Sequence, residues 1–416
     1  MYDEITLSSG LRIIGERIPH FRSVSLGLWV LSGSLYETPG ENGVSHFIEH
    51  MLFKGTERRS ARRIAEEMDA VGGSMNAFTS KECTCFYAKV VDEHMPLAMD
   101  LIGDIALHSR FDPDDIAREK GVVLEEIGMA EDQPEDLVSE LLMDARFGEQ
   151  ALARPILGTE ETLNALTREQ ILAYYGRMYR PETSVLSIAG NYDLDRVVAL
   201  AEEIYGAWRP TNAPRPCVST LLTAARVVRR QKDTEQLHIC LGWPGVPEGS
   251  RELFPVSIFN SVFGGAMSSR LFQRIREESG MAYSVYSYPA SYPDVGVFSV
   301  YAGASRENAP AVLQMIREEA DLMRREGLRE EEFAPAREQL KGSYILGLES
   351  TASRMNSIGR RKLILDETLT ESQVIERLNA ITLDEVNAVT RQILSGDCAV
   401  SLVGDGADTL DTSLFC

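Results

Sequence analysis

The chain has 416 residues, 44% apolar and 25% charged, which is too long for one ordinary core and excludes disordered or collagen-like structure. A net charge of −21 tells against nucleic acid or an anionic membrane as partner and fits a basic ligand, such as an Arg- or Lys-rich peptide. No apolar run spans a bilayer, and Met1-Tyr2-Asp3-Glu4 opens no basic or apolar leader, so a soluble cytoplasmic protein is expected.

In chain order, the first clear strand signal is the alternation over 24–28, closing on Leu31. The segment 43–55 then reads as a helix, with Asn42 as its N-cap and Gly55 as its stop. At about 100° per residue, Val44, Phe47, Ile48, Met51 and Leu52 fall on one arc suited to a core. His46, Glu49 and His50 fall together on the opposite arc. Two imidazoles at i and i+4 can reach one ion, and Glu49 can reach a water bound to it. The H-x-x-E-H pattern alone equally describes a polar helix face.

A helix over 60–71 comes next, then a strand over 79–91 on which Cys83 and Cys85 share a face. With Cys217, Cys240, Cys398 and Cys416 they show no C-x-x-C spacing and read as structural thiols. After a helix over 95–109, another begins near Asp114 and offers Glu119, Glu125 and Glu126. Glu119 and Glu126 lie two turns apart and nearly eclipse each other. Val122, Val123 and Ala130 share their face, which implies partial burial. A buried carboxylate is costly unless it is paired or binds metal. Glu126 is therefore taken as the third metal ligand, with Glu119 behind the ligands as an orienting group. Glu125 points about 100° away, toward solvent. The acidic run Glu131-Asp132-Gln133-Pro134-Glu135-Asp136 reads as a solvated helix-to-loop segment that could also attract basic residues.

Prolines at 210, 214 and 216 mark a linker over 211–228, and the halves on either side echo each other at an offset of about 210 to 219 residues. Leu166-Thr167-Arg168-Glu169-Gln170-Ile171 before a strand at 184–191 matches Ile381-Thr382-Leu383-Asp384-Glu385-Val386 before a strand at 399–405. The strand at 24–28 likewise matches one at 237–243. Strands interleaved with long helical patterns, including 309–325, predict an α+β fold. Two similar layered domains are expected, each a largely antiparallel sheet with packed helices, related by internal duplication. Residues 1–210 form the metal-binding domain. Residues 229–416 form the second, whose segment 255–264 stands where the metal helix should be and has no histidine.

His46-Phe47-Ile48-Glu49-His50, with Glu126 placed 76 positions after His50 and Glu119 seven before that, resembles the inverzincin signature. The chain is similar to the pitrilysin, insulysin and mitochondrial-processing-peptidase family, and within it to short bacterial-type homologues of the processing peptidase's catalytic subunit. The likeness extends to Ser74-Met75-Asn76-Ala77-Phe78-Thr79-Ser80-Lys81-Glu82 and to Tyr179-Arg180-Pro181. It also covers Gly264-Gly265-Ala266-Met267-Ser268-Ser269-Arg270-Leu271-Phe272 and Gly280-Met281-Ala282-Tyr283. The resemblance implies a zinc endopeptidase that cleaves extended peptides or presequence-like segments, with Zn2+ on His46, His50 and Glu126 and with Glu49 as general base. It further implies that Arg276 and Tyr283 contact substrate, that Asn76, Ala77 and Phe78 receive the peptide as an added strand, and that the chain forms a homodimer. The rival expectation is a non-catalytic family subunit or scaffold with a structural metal. The retained His46, Glu49, His50 and Glu126 tell against it.

Overall fold

The computed structural model describes residues 2–211 and 213–415, so Cys416 lies outside the described residues. Contacts divide the chain into two compact units. The first gathers Met1–Ile127, Pro155–Val218 and Ile345–Thr370, and the second gathers Gly128–Arg154, Ser219–Tyr344 and Glu371–Cys416. The units are therefore not the contiguous stretches 1–210 and 229–416. Each takes one internal segment from the other half of the sequence. The expected linker over 211–228 also ends early, because a strand begins at Val227.

The strands of the first unit are β1 (Asp3–Thr6), β2 (Arg12–Arg17), β3 (Ser23–Val30), β4 (Ser74–Thr79), β5 (Thr84–Val91) and β6 (Ser184–Gly190). They form one sheet in the order β1-β2-β6-β3-β5-β4, with β2 and β6 parallel and the other pairs antiparallel. The second unit carries β7 (Val227–Arg230), β8 (Leu237–Gly245), β9 (Ala282–Ser291), β10 (Gly296–Ala304) and β11 (Ala399–Val403). Their order is β7-β11-β8-β10-β9, with β7 and β11 parallel and the other pairs antiparallel. Omitting β1, the two sheets have the same strand order and the same pattern of directions, as duplication requires. β4 and β9 occupy the same edge in each.

Helices in chain order are α1 (Val44–Leu52), α2 (Ala61–Asp69), α3 (Met95–His108), α4 (Pro113–Asp132), α5 (Pro134–Phe147), α6 (Glu160–Ala165), α7 (Arg168–Met178), α8 (Leu194–Tyr205), α9 (Leu253–Asn260), α10 (Ala309–Glu326), α11 (Glu330–Gly347), α12 (Thr351–Leu365), α13 (Glu371–Ala380) and α14 (Leu383–Leu394). On one face of the first sheet, Leu26, Leu28, Val30, Phe86 and Ala88 share a core with Phe47, Ile48, Met51 and Leu52 of α1 and with α3 and α7. The opposite face carries Trp29, Cys83, Cys85 and Val185, and α12 covers it with Met355, Ile358 and Leu363. Contact there is tight. A Cβ on Gly359 would lie 2.2 Å from Trp29 Nε1, which already donates to Ser187 Oγ at 2.8 Å. Each buried side chain of this size contributes about 1.5–3 kcal/mol by area alone.

The second sheet is covered in the same way by α5, whose Leu142 packs on Gly242 and whose Val138 carbonyl accepts from Ser401 Oγ at 2.6 Å. Arg146 at the end of α5 is fully buried and reaches Asp397 Oδ1 through both terminal nitrogens at 3.0 Å. The acidic run expected to be a solvated helix-to-loop segment is thus the junction of two helices. The five described cysteines are free thiols, all buried except Cys217. Cys83 lies in the turn before β5, so of the expected Cys83–Cys85 pair Cys85 alone is on that strand.

Candidate metal centre

α1 is held at its start by a side chain from outside the helix. Its N-cap is Gly43, at φ +94°, with no side-chain cap of its own. A Cβ there would fall 2.6 Å from the Leu157 carbonyl oxygen, so only glycine suits both the backbone and the space. The cap comes instead from Glu37, a buried carboxylate. Its Oε2 accepts from Gly43 N at 2.8 Å and its Oε1 from Ser45 N at 2.8 Å. Asn42, the expected N-cap, donates its side-chain amide to Glu37 Oε2 at 3.0 Å and to Pro155 O at 2.9 Å. Burial pushes the Glu37 carboxyl above its ordinary range, opposed by these donors. An anion at this position also complements the positive end of the helix dipole.

With Val44, Phe47, Ile48, Met51 and Leu52 buried, His46, Glu49 and His50 turn to the other side, as the periodicity predicts. α4 passes opposite them. The Glu126 Oε2 atom lies 3.4 Å from His50 Nε2 and 3.7 Å from His46 Nε2. One ligand atom from each of His46, His50 and Glu126 falls within 4.8 Å of the others. Two imidazoles and one carboxylate with a position left open is a donor set suited to catalytic zinc. Burial, and then the neighbouring His50, push the His46 imidazole down to about 4, so it is neutral at physiological pH and keeps a lone pair for a metal. Its Nδ1 is buried with no hydrogen-bond partner among the described residues.

Glu119 is 4% exposed and sits behind His50. Its Oε1 is 2.8 Å from His50 Nδ1, and its Oε2 is 2.7 Å from Lys54 Nζ. An ionised carboxylate only accepts, so the His50 proton sits on Nδ1 and its Nε2 lone pair faces Glu126. The expected shared face of α4 holds for Glu119, Val123 and Glu126, but Val122 is 46% exposed and does not belong to it. Glu125 is exposed, as expected.

Glu49 lies beside the histidines. Burial pushes its carboxyl above the ordinary range, partly offset by Thr79, whose hydroxyl donates to Oε2 at 2.5 Å. Thr79 ends β4, the edge strand that also carries Asn76, Ala77 and Phe78. Along it, Met75 and Ala77 pack on the α1 side of the sheet, while Phe78 turns to the other face against Trp29, ring centroids 5.6 Å apart. Asn76 Oδ1 accepts from Ala77 N at 2.8 Å.

Arg276 and Tyr283 belong to the second unit. Arg276 lies on a π-helical turn over Phe272–Glu278, and Tyr283 on the edge strand β9. The guanidinium is held between two rings, 4.9 Å from the centroid of Phe272 and 4.8 Å from that of Tyr283. Tyr283 is 73% exposed. α9 stands where the duplication puts the counterpart of α1 and carries no histidine.

Glu37, Lys54 and Thr79 were not singled out by sequence reasoning. Lys54, four positions after His50, could have been found from spacing. Glu37 and Thr79 reach the site through the fold and leave no local signal.

Residues 12–160 match the family model described as Insulinase (Peptidase family M16), and residues 165–340 match that described as Peptidase M16 inactive domain. Among curated relatives, a protein of Bacillus subtilis (strain 168) named as an uncharacterized zinc protease is 42% identical, over 97% of this chain and 98% of its own. One of Streptomyces coelicolor with the same description is 43% identical, over 96% and 88%. Among solved structures, a peptidase M16 inactive domain from Pseudomonas fluorescens superposes with a TM-score of 0.90 at 19% identity, covering 97% of this chain and 98% of that one. A protease from Helicobacter pylori gives 0.91 at 16%, covering 97% and 99%. No helix of the described residues is long and apolar enough to cross a membrane.

Proposed function

Because the chain belongs to the insulinase family of peptidases, M16, we propose that it is a zinc-dependent endopeptidase acting on extended peptides or presequence-like segments. The observation that carries this is the convergence of His46, His50 and Glu126 on one point with the Glu49 carboxylate alongside. His46, His50 and Glu126 hold the ion, and Glu119 with Lys54 orients His50. The chemistry a bound zinc supplies is Lewis acidity, which acidifies a water and polarises a carbonyl. Glu49 takes the proton of the attacking water and returns it to the leaving amine, a role suited to its raised pKa. Asn76, Ala77 and Phe78 of β4 receive the peptide as an added strand, chiefly through main-chain atoms, because Phe78's side chain is committed to Trp29. Arg276 holds a peptide carbonyl and Tyr283 donates to the developing oxyanion, a pairing supported by their stacking. The second unit serves substrate rather than metal, in keeping with the absence of histidine from α9.

The test is zinc content measured beside cleavage of quenched-fluorescent peptides. We expect about one zinc per chain and turnover that a chelator abolishes and zinc restores. One zinc with no cleavage of any peptide would favour the scaffold reading. The −21 charge supports a preference for basic peptides that weakens as salt rises; equal rates for acidic and basic peptides at low salt would sink it. We further propose a cytoplasmic homodimer. Sedimentation at the 46.2 kDa of a single chain would overturn the dimer, and fractionation with membranes or medium would overturn the compartment.

Lys54→Met should lower zinc affinity about 10- to 100-fold, the range for loss of an outer partner, because Glu119 then loses one of its two donors. Lys54→Arg should keep most of it. Competition with a chromophoric chelator reads both, and an unchanged affinity in Lys54→Met would remove Lys54 from the site.

A further inference from the structure

Resting on the reading of Glu49 as the base, we propose that Thr79 is a positioning residue that pins one Glu49 oxygen and so fixes the other toward the reacting water. Each threonine hydroxyl has a single proton. Thr79 and Thr84 face each other across the β4–β5 hairpin, their oxygens 3.2 Å apart. Thr84 donates to the Ser32 carbonyl at 2.8 Å in a buried setting, so its proton is committed there. The Thr79 proton is left for Glu49 Oε2 at 2.5 Å. Oε1 has no hydrogen-bond partner among the described residues and is the oxygen free to meet water. The last torsion of a glutamate is broad and two-fold, so nothing in the side chain itself selects this orientation. Thr79 does.

Thr79 stands three residues after Asn76 on one strand, a distance of about 10 Å at strand rise. A peptide paired to the edge of β4 is therefore registered against the same rigid element that orients the base. Neither alignment depends on a loop. The gain is geometric: misplacing a catalytic group by even about 1 Å can cost about 100-fold.

Two measurements test this. With a quenched-fluorescent peptide, Thr79→Val should lower kcat about 10- to 100-fold, the range for a lost hydrogen bond to a charged group. KM and zinc affinity should stay unchanged, and Thr79→Ser should restore most of kcat. A double-mutant cycle of Thr79→Val with Glu49→Ala, read by urea unfolding of the metal-free protein, should show coupling of about 5- to 30-fold in the unfolding constant. If Thr79→Val does not fold, Thr79→Ala takes its place. The proposal is overturned by wild-type kcat in Thr79→Val, by equal losses in the Val and Ser variants, by loss of zinc, or by an additive cycle. A wild-type protein that cleaves no peptide would instead remove the peptidase reading, and the cycle would still decide on Thr79.

Discussion

Glu49→Gln should keep about one zinc per chain and lose about 100- to 10,000-fold in kcat, the range that a positioned acid–base group contributes. The substitution is nearly isosteric and leaves His46, His50 and Glu126 in place. Its amide oxygen can still accept from Thr79, so the side chain should keep its position. What disappears is the capacity to take a proton. Zinc analysis and steady-state kinetics on one preparation separate the two effects. Zinc retained with wild-type kcat would mean that another group is the base.

His50→Ala and Glu126→Gln should lose the metal itself, with affinity falling by more than the roughly 10- to 100-fold that an outer-partner loss costs. His50→Ala has a second consequence, because it leaves the buried Glu119 with Lys54 as its only partner among the described residues. Glu125→Gln should change nothing, since Glu125 is exposed on another side of α4. Metal content after dialysis against a weak chelator ranks the four proteins. A metal-free Glu125→Gln beside a fully loaded Glu126→Gln would move the third ligand by one residue.

The orientation of α1 was legible in the sequence because all its information is local. Apolar residues on one arc and His46, Glu49 and His50 on the other leave one orientation for α1. Glu119 and Glu126 were legible for the same reason, two turns apart on α4. The cap was misassigned to Asn42 because the cap Glu37 supplies is made in three dimensions, across a 3-10 turn at Pro39–Glu41. The strand expected over 79–91 starts only at Thr84, and Thr79 ends the preceding strand, because Ser80-Lys81-Glu82-Cys83 forms a turn without glycine, proline or asparagine. It is closed by Ser80 Oγ, which accepts from Glu82 N and Cys83 N. The sheet faces of α5 and α12 were not legible at all. Periodicity shows that a helix has an apolar side and never which sheet, some 200 residues away, that side will meet.

That last feature bears on how the protein is made. On the ribosome the chain emerges from its N-terminus, and residues 1–210 contain every strand of the first sheet. The helix that covers the Trp29 face ends at Leu365. At typical synthesis rates that cover arrives roughly ten to thirty seconds later. Throughout this interval one side of a finished sheet is bare, and α5 is exposed in turn until Ala399–Val403 is made. Neither half can complete its core during synthesis. The apolar Trp29 face of the first sheet therefore stays uncovered until α12 is made, and folding is completed only near the end of translation.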